Sequence, residues 1–473
     1  MTGTDFVSLA PFLIISGASV IMMLTIAFAR SHQVIYGFSV IAFIIALVSL
    51  YFVAQVAPHE INKLFIFDNY SLFFMAMIII AGILITMLSY DYLKFHTGEK
   101  EEYYIILFVS TLGALILTTA NHFVTFFLGL ETLSVSLYIL IAYMKSRDQS
   151  IEAGMKYLVL AASSSAFLLF GMALIYTFTG TMNFKEIGAI LMSSPSMSPL
   201  VYAGFGMMIV GIGFKLALVP FHMWIPDVYQ GAPVPVTAFI ATVSKGAVVA
   251  LLLRFYFSMQ GGHNSILITV ISILSILSMF TGNFLALQQQ NLKRMLAYSS
   301  IAHLGYLMIT ILAANIIGIQ AAIFYLLAYF VTSLGAFSVI SLLSVCEQDA
   351  EQLEQYRGLF WKRPWLAVVM TLSMLSLAGI PLTAGFMSKF YLAFSGFQSN
   401  LLLLVFSLII NSVISLYYYL RVITTMFAAA DEKTLPVVSF TGHIVLAVVV
   451  IGILWLGLIP GTFIHFFSRL SSF

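Results

Sequence analysis

The sequence predicts an all-α integral membrane protein. About fourteen transmembrane helices are expected, forming two inverted five-helix repeats over spans 4–8 and 9–13, with helices 7 and 12 broken. Three observations carry this expectation. Of 473 residues, 61% are hydrophobic and only 8% are charged, whereas a soluble domain has about a quarter charged. A chain so poor in charge cannot cover its own surface, so lipid must be its outer solvent. Apolar stretches that reach or exceed the roughly 20 residues needed to cross a bilayer recur along the whole length. The basic residues of the connecting loops are also distributed unevenly between the two sides.

The apolar stretches fall near 9–29, 34–56, 69–90, 103–120, 122–144, 154–179, 199–230, 234–258, 265–287, 292–315, 317–345, 366–396, 400–428 and 440–467. The breaks at Asn121 and near Asn315 leave very short loops. The longest loop, about 346–365, is too short for a separate domain. The chain therefore reads as one polytopic domain over 1–473: N-terminal spans within 1–102, a first repeat at 103–258, a second at 265–428 and a last span at 440–467.

The positive-inside rule sets the orientation. With the N-terminus outside, the inner loops hold Arg30, Lys94, Lys100, Lys145, Arg147, Lys293, Arg294, Arg357, Lys362, Arg363 and Lys433, and the outer side holds only Lys63, Lys185 and Arg469. Both termini then lie outside. Arg254 and Arg421 sit near span ends, where they are expected to snorkel to the interface. No basic residue precedes the first apolar stretch, which begins after Asp5, so a cleavable signal peptide is not expected. The single cysteine, Cys346, excludes an internal disulfide and any multi-cysteine cluster within the chain.

Four basic residues remain: Lys156, Lys215, Lys245 and Lys389. The last three lie well inside spans 7, 8 and 12, and Lys156 stands near the start of span 6. Of the acidic residues, only Glu131 falls deep in a span, within FFLGLETLSVSLYIL. A charge at a helix centre costs about 2.5–3.5 kcal/mol on insertion scales, and one carboxylate cannot neutralise three lysines. Burial favours the neutral amine and a nearby carboxylate favours the ammonium. A lysine held between those influences can load and release a proton. The alternatives are a structural ion pair for Glu131 and an interfacial anchor for Lys156.

Pro220 and Pro381 lie inside spans 7 and 12, each of which carries a buried lysine. Proline breaks the helical ladder, and broken helices at membrane depth are tolerated only inside protein or beside a wet cavity. Spans 7 and 12 are five apart and so run in opposite directions, a layout typical of inverted-repeat transporters. Two ordinary kinks are the alternative. His222 follows Pro220, and His303 lies within YSSIAHLGYL; each is a relay candidate or a hydrogen-bonded structural histidine, while His122 reads as interfacial. Glycines 204, 206, 211 and 213 read as close helix packing. No GxxxxGK[ST], HExxH or strand-borne GxGxxG occurs, so the energy for ion movement has to come from a gradient or a partner. No basic stripe suited to nucleic acid is present.

Five segments carry a family resemblance: LETLSVSLYILIAY at 130–143, EAGMKYLVLAASSSAFLLFGMALIY at 152–176, GFKLALVPFHMWIPDVYQGAPVPVTAFIATVSKGA at 213–247, NLKRMLAYSSIAHLGY at 291–306 and GIPLTAGFMSKFYL at 379–392. Together they resemble the antiporter-like membrane subunits of respiratory complex I, the NADH–quinone oxidoreductase, over essentially the whole chain. The resemblance implies a proton-translocating subunit. Glu131 would pair with Lys215, Lys245 would connect the halves and Lys389 would be the terminal lysine, with Lys156, His222 and His303 as possible relay members. Lysine rather than glutamate at 389, and no lateral helix after the last span, sort the chain within that family. The resemblance also implies that this chain holds no cofactor, and that NAD, FMN, iron–sulfur clusters and quinone sit in partner subunits. Its expected partners are the other membrane-arm subunits, the lipid bilayer and protons. Its expected home is a bacterial inner membrane. A subunit of a multi-subunit sodium/proton antiporter is the alternative, with a stand-alone solute transporter and an inert scaffold as weaker ones.

Overall fold

A computed structural model describes residues 2–94, 98–193, 198–259, 264–344, 348–429 and 438–461. Cys346, Lys433, Arg469 and the expected end of the last span lie outside these described residues.

Every expected span is matched by helix. Among the described residues, thirteen helices are long and apolar enough to cross a membrane. They are Gly3–Phe28, His32–Val56, Asn69–Leu93, Glu102–Thr119, Phe123–Ile141, Asp148–Thr179, Pro199–Leu216, Val234–Ser258, Ser265–Leu287, Leu292–Ala313, Ile316–Leu343, Leu402–Phe427 and Phe440–Leu458. The remaining span, number 12, resolves into two 15-residue halves, Pro364–Ala378 and Ala384–Gln398. The short loops are legible in their caps. Asn315 begins span 11 by accepting from the Gly318 amide, and Asn291 begins span 10 by accepting from Arg294. Such side-chain acceptors satisfy amides that a helix start leaves orphaned. Among the described residues, small elements decorate the connections: a hairpin of His59–Ile61 with Phe65–Phe67, a helix at Phe184–Ser193, a 3₁₀ turn at Leu353–Tyr356 and a helical turn at Leu359–Lys362.

Burial sorts the spans into a centre and a rim. The apolar windows of spans 8 and 10 are 94% buried and that of span 11 is 83% buried, against 28% for span 9 and 39% for spans 1, 2 and 14. Rim spans turn large apolar side chains such as Phe52, Ile273 and Val448 outward, as a lipid-facing surface requires. The three central spans have no such outlet, so their polar side chains must find partners inside the protein.

Four expectations need correction. Arg254 does not snorkel: it is 2% exposed and forms a two-pronged pair with Asp68 at 2.8 and 2.9 Å. Lys293 is not a loop charge but fully buried. It donates to the Gln230 and Ala232 carbonyls at 2.8 and 2.7 Å and to Asp349 at 2.7 Å, while Arg147 reaches Asp349 at 3.2 Å. Burial alone would raise the Asp349 carboxyl, but Lys293 and Arg147 outweigh it and hold it below the usual carboxylate range. This node ties spans 3, 7 and 10 to the loop after span 11, with Tyr92 also donating to Asp349. Arg421 is held inward as well, its guanidinium donating to the Leu287 and Gln289 carbonyls at the end of span 9. Among the glycines, 204 and 211 face span 6 closely and 213 abuts Phe221, but Gly206 has open space where a side chain would stand.

Candidate functional site: a buried chain of lysine, hydroxyl and histidine

Both breaks are built by local chain chemistry. Span 7 stops at Leu216, where Ala217 takes a left-handed conformation at φ 57° and the Leu218 amide closes onto the Gly213 carbonyl at 2.8 Å. The chain turns through Pro220 and His222 and resumes as a helix at Ile225–Gly231. Groups freed by the break find partners: Trp224 Nε1 donates to the Phe214 carbonyl at 2.9 Å, and the Val219 amide donates to Ser278 of span 9, also at 2.9 Å. Span 12 stops at Ala378, and Gly379 takes φ 85°. A side chain at 379 would collide with Lys389, its Cβ 2.9 Å from the lysine Cδ, so glycine serves both the turn and the lysine.

The three mid-span lysines are buried: Lys215 is 5% exposed, Lys245 1% and Lys389 7%. Among the described residues none of them lies within ion-pair distance of a carboxylate. Lys215 Nζ donates to Ser134 Oγ at 2.6 Å and lies over the rings of Tyr157 and Phe214 at 5.4 and 5.5 Å. Glu131, only partly buried, instead accepts from Ser165 Oγ at 2.5 Å. The expected Glu131–Lys215 pair is therefore not a direct contact. Each group takes a serine, and Ser134 stands one turn of span 5 from Glu131.

Lys245 begins the regular helix that follows a π-helical turn at Ile240–Ser244 in span 8, and it donates to Ser300 on span 10. Single π turns inside α-helices are frequent at functional sites. Next to Ser300, Ser299 shares a hydrogen bond with Tyr419 of span 13. Tyr419 also meets His303 Nε2 at 3.1 Å, and His303 Nδ1 meets Tyr325 of span 11 at 2.5 Å. His303 packs edge-on against Tyr306, and the Tyr306 hydroxyl accepts from Asn283, which also holds Asn411 and Tyr418 at 2.9 Å each. Lys389 lies 5.4 Å over the Tyr306 ring and donates to the Ala378 carbonyl at 3.0 Å. Direct contacts thus link Lys245 to Ser300, Ser299 through Tyr419 to His303, and Lys389 to the Tyr306 ring, and span 10 contributes a member to each of the three groups.

The other two candidates lie apart from this chain. Lys156 is not buried: its side chain is 44% exposed and bridges Glu152 at 2.7 Å and Asp227 at 2.8 Å. Arg294 joins the same Asp227 at 2.8 Å. Span 6 has 32 residues, about 48 Å of helix at 1.5 Å per residue, so its first turns project beyond the apolar layer. His222 is 8% exposed inside the first break, and its Nδ1 is buried without a protein hydrogen-bond partner. Among the described residues no group of three or more His, Cys, Asp or Glu is placed to hold a metal.

The family model described as the transmembrane region of NADH:quinone oxidoreductase and Mrp antiporter subunits matches residues 120–415. A relative from Ectopseudomonas mendocina named NADH-quinone oxidoreductase subunit N is 44% identical across 97% of this chain and 95% of its own length. The chain belongs to this family, in its subunit N branch. A chain in the structure of respiratory complex I from Thermus thermophilus with bound aureothin superposes with a TM-score of 0.83. It is 32% identical, over 96% of this chain and 98% of that one. A chain of the Mrp complex from Dietzia sp. reaches a TM-score of 0.87 at 19% identity, covering 100% of this chain and 97% of its own, and shares the fold. The family match begins just before span 5 and ends inside span 13, so it includes every group of the buried chain except Tyr418 and Tyr419.

Proposed function

We propose that this chain is a proton-translocating subunit in the membrane arm of NADH–quinone oxidoreductase, embedded in a bacterial inner membrane with both termini on the outer side. Redox chemistry belongs to partner subunits that hold NAD, FMN, iron–sulfur clusters and quinone. The observation that carries the reading is the succession Lys245–Ser300, Ser299–Tyr419–His303 and Tyr306–Lys389, which joins spans 8, 12 and 13 across span 10, itself 94% buried over its apolar window. Buried ionisable groups are costly in a membrane and mark ion pathways. Hydroxyls and imidazoles supply both a donor and an acceptor, so a proton can be passed along them while lysines at the ends store it.

In this mechanism Glu131 and Lys215 form the input. A shift of span 5 against span 7 exchanges their serine partners for each other, and that exchange changes the affinity of Lys215 for a proton. The proton then crosses the break at His222 to Lys245 and moves along span 10 to Lys389. The two five-helix units, spans 4–8 and 9–13, serve as the moving parts. Relatives at 44% identity carry the subunit N name, whereas the Mrp likeness is one of fold, which favours electron transfer over a sodium gradient as the driving force.

The test is Lys215→Ala in the assembled complex. We expect coupled proton pumping to fall at least about tenfold, given that a positioned proton-transfer group contributes roughly 10²–10⁴-fold, with subunit content unchanged. Normal pumping in that variant removes Lys215 from the path.

A further inference from the structure

Spans 9 and 13 are less buried than the central spans, yet each turns one asparagine fully inward: Asn283 on span 9 and Asn411 on span 13. Both amides belong to one network with Tyr306 of span 10 and Tyr418 of span 13. Asn283 Nδ2 lies 2.9 Å from three acceptors, the Met279 carbonyl, the Tyr306 hydroxyl and Asn411 Oδ1. A carboxamide has only two N–H groups to give. The Met279 carbonyl already has a ladder partner in the backbone N–H of Asn283, one turn on in the same helix. The two side-chain hydrogens therefore go to Tyr306 and Asn411. The remaining groups are also paired: Asn283 Oδ1 accepts from Tyr418 and Asn411 Nδ2 donates to the Ser407 carbonyl, each at 2.9 Å.

Asparagines often join membrane helices by such bonds, but the place where this network ends argues for more than joining. Among the described residues Asn283 is the only hydrogen-bond partner of the Tyr306 hydroxyl. The Tyr306 ring is in turn the contact shared by two members of the proposed path: His303 packs edge-on to it at 5.5 Å, and Lys389 Nζ lies 5.4 Å from its centre. Among the described residues no hydrogen bond joins His303 to Lys389. The attraction of an ammonium to a ring depends on its standing over the face, so the tilt of Tyr306 matters to Lys389. Asn283 holds the hydroxyl end of that ring from a rigid base. Spans 9 and 10 approach so closely that a Cβ at Gly282 would come within 2.7 Å of the Ala302 amide, and one at Gly305 within 2.9 Å of the Ser275 carbonyl.

We infer that Asn283 is a positioning residue for the last step of the proton path, holding the Tyr306 ring in the tilt that receives the Lys389 ammonium. This rests on the path proposed above. Asn411 has a different part: it ties span 13 to span 9 and makes no hydrogen bond to Tyr306 among the described residues. The bonds themselves separate the two roles. Without Asn411, Asn283 keeps one hydrogen on Tyr306 and turns the other to the Met279 carbonyl. Without Asn283, the Tyr306 hydroxyl loses its partner.

The experiment measures initial proton-pumping rates of the assembled complex in proteoliposomes, together with its melting temperature. Rates are normalised to NADH oxidation by an artificial acceptor, which reports the amount of complex. Asn283→Leu should lower pumping about tenfold, the value of one buried hydrogen bond. Tyr306→Phe should lower it by a similar factor, and the double variant should be no worse than either single one. Asn411→Leu should lower the melting temperature as much as Asn283→Leu does, yet keep pumping within about twofold. Equal pumping defects in the two asparagine variants overturn the assignment, because joining helices would explain both. A double variant whose defect is the product of the single ones overturns it too, as does normal pumping in Asn283→Leu. Lys389→Met separates this inference from the path itself. A defect in Lys389→Met beside normal pumping in Asn283→Leu removes the inference alone, whereas normal pumping in Lys389→Met removes the path and the inference with it.

Discussion

Lys215 and Lys389 stand at corresponding breaks, but they settle into different surroundings. Lys215 is in the last turn of the first half of its span and reaches across to a serine on span 5, with aromatic rings around it. Lys389 is in the second half of its span and turns back to the carbonyl that ends the first half. A cation at a helix C-terminus is favoured by about 0.3–1 kcal/mol, so the break itself stabilises the ammonium of Lys389. Lys215 also stands in the last turn of a helix, but its acceptor is a serine hydroxyl on another span rather than the carbonyl that ends a helix. Its nearest acid, Glu131, is engaged by Ser165. The first half of the molecule thus carries a charge whose partner can change, and the second half carries one whose partner is built in. The polar chain follows the same division: among the described residues no hydrogen bond joins the Lys215 group to the Lys245 group, whereas from Lys245 onward span 10 contributes a member to each group.

The largest expected effect comes from removing the junction. Lys245→Met fills the same space without a proton site, and coupled pumping should drop about a hundredfold or more, in line with the loss of a general acid–base group. Retained pumping means that the two halves work separately, and the comparison above then describes two pumps rather than one. A smaller effect separates hydrogen-bonded aromatics from packing ones. Tyr419→Phe deletes the hydroxyl shared by Ser299 and His303, each bond contributing about 1 kcal/mol, and turnover should fall about tenfold. Tyr157→Phe keeps the ring under Lys215 and should leave turnover within about twofold, since the cation–π contact survives. Equal losses in both variants, read from initial pumping rates, erase the distinction.

A third measurement probes what holds the halves in register. The Asp349 node joins Lys293 and Arg147 at the lysine-rich face. Its carboxyl is depressed in the folded state, so its contribution is fully present above the unfolded carboxylate value, about 3.9, and is lost as pH falls through the lower folded value. Thermal stability of the purified assembly should be flat in this respect from pH 8 to 5 and weaken below about pH 4. Asp349→Ala should cost about 3–5 kcal/mol at neutral pH, the price of leaving buried cations unpaired, and should abolish that acid-side transition. An unaltered melting temperature shows that the node is dispensable.

Much of this architecture was legible from residue order. Fourteen apolar stretches, two internal prolines and three stranded lysines are local signals, and each survives in the fold. Contacts between spans were not legible. Ser134, Ser165, Ser299 and Ser300 read like ordinary membrane serines, because the lysine, acid or tyrosine that gives each its role lies tens to more than a hundred positions away. The tyrosines around His303 were hidden in the same way, since a tyrosine in a span reads first as packing or as an interfacial anchor. Lys293 was misplaced because a charge two residues into a helix resembles an anchor until the neighbouring loop is seen to cover it. The π turn before Lys245 has no residue signature within IATVS.

Lys156 marks the smallest expected effect and closes the comparison between buried and surface charge. Its position one helical turn after Glu152, together with the outward projection of span 6, leaves it in a wet cluster with Asp227 and Arg294. Exposed ion pairs contribute about 0–1 kcal/mol, and Arg294 remains to hold Asp227 if the lysine is lost. Lys156→Ala should therefore leave pumping within about twofold and the melting temperature nearly unchanged. A loss as deep as that of Lys215→Ala would mean that protons enter through this cluster. Asp227→Asn then distinguishes entry from packing. An entry role requires it to reproduce the pumping defect without a fall in melting temperature, whereas a packing role lowers both together.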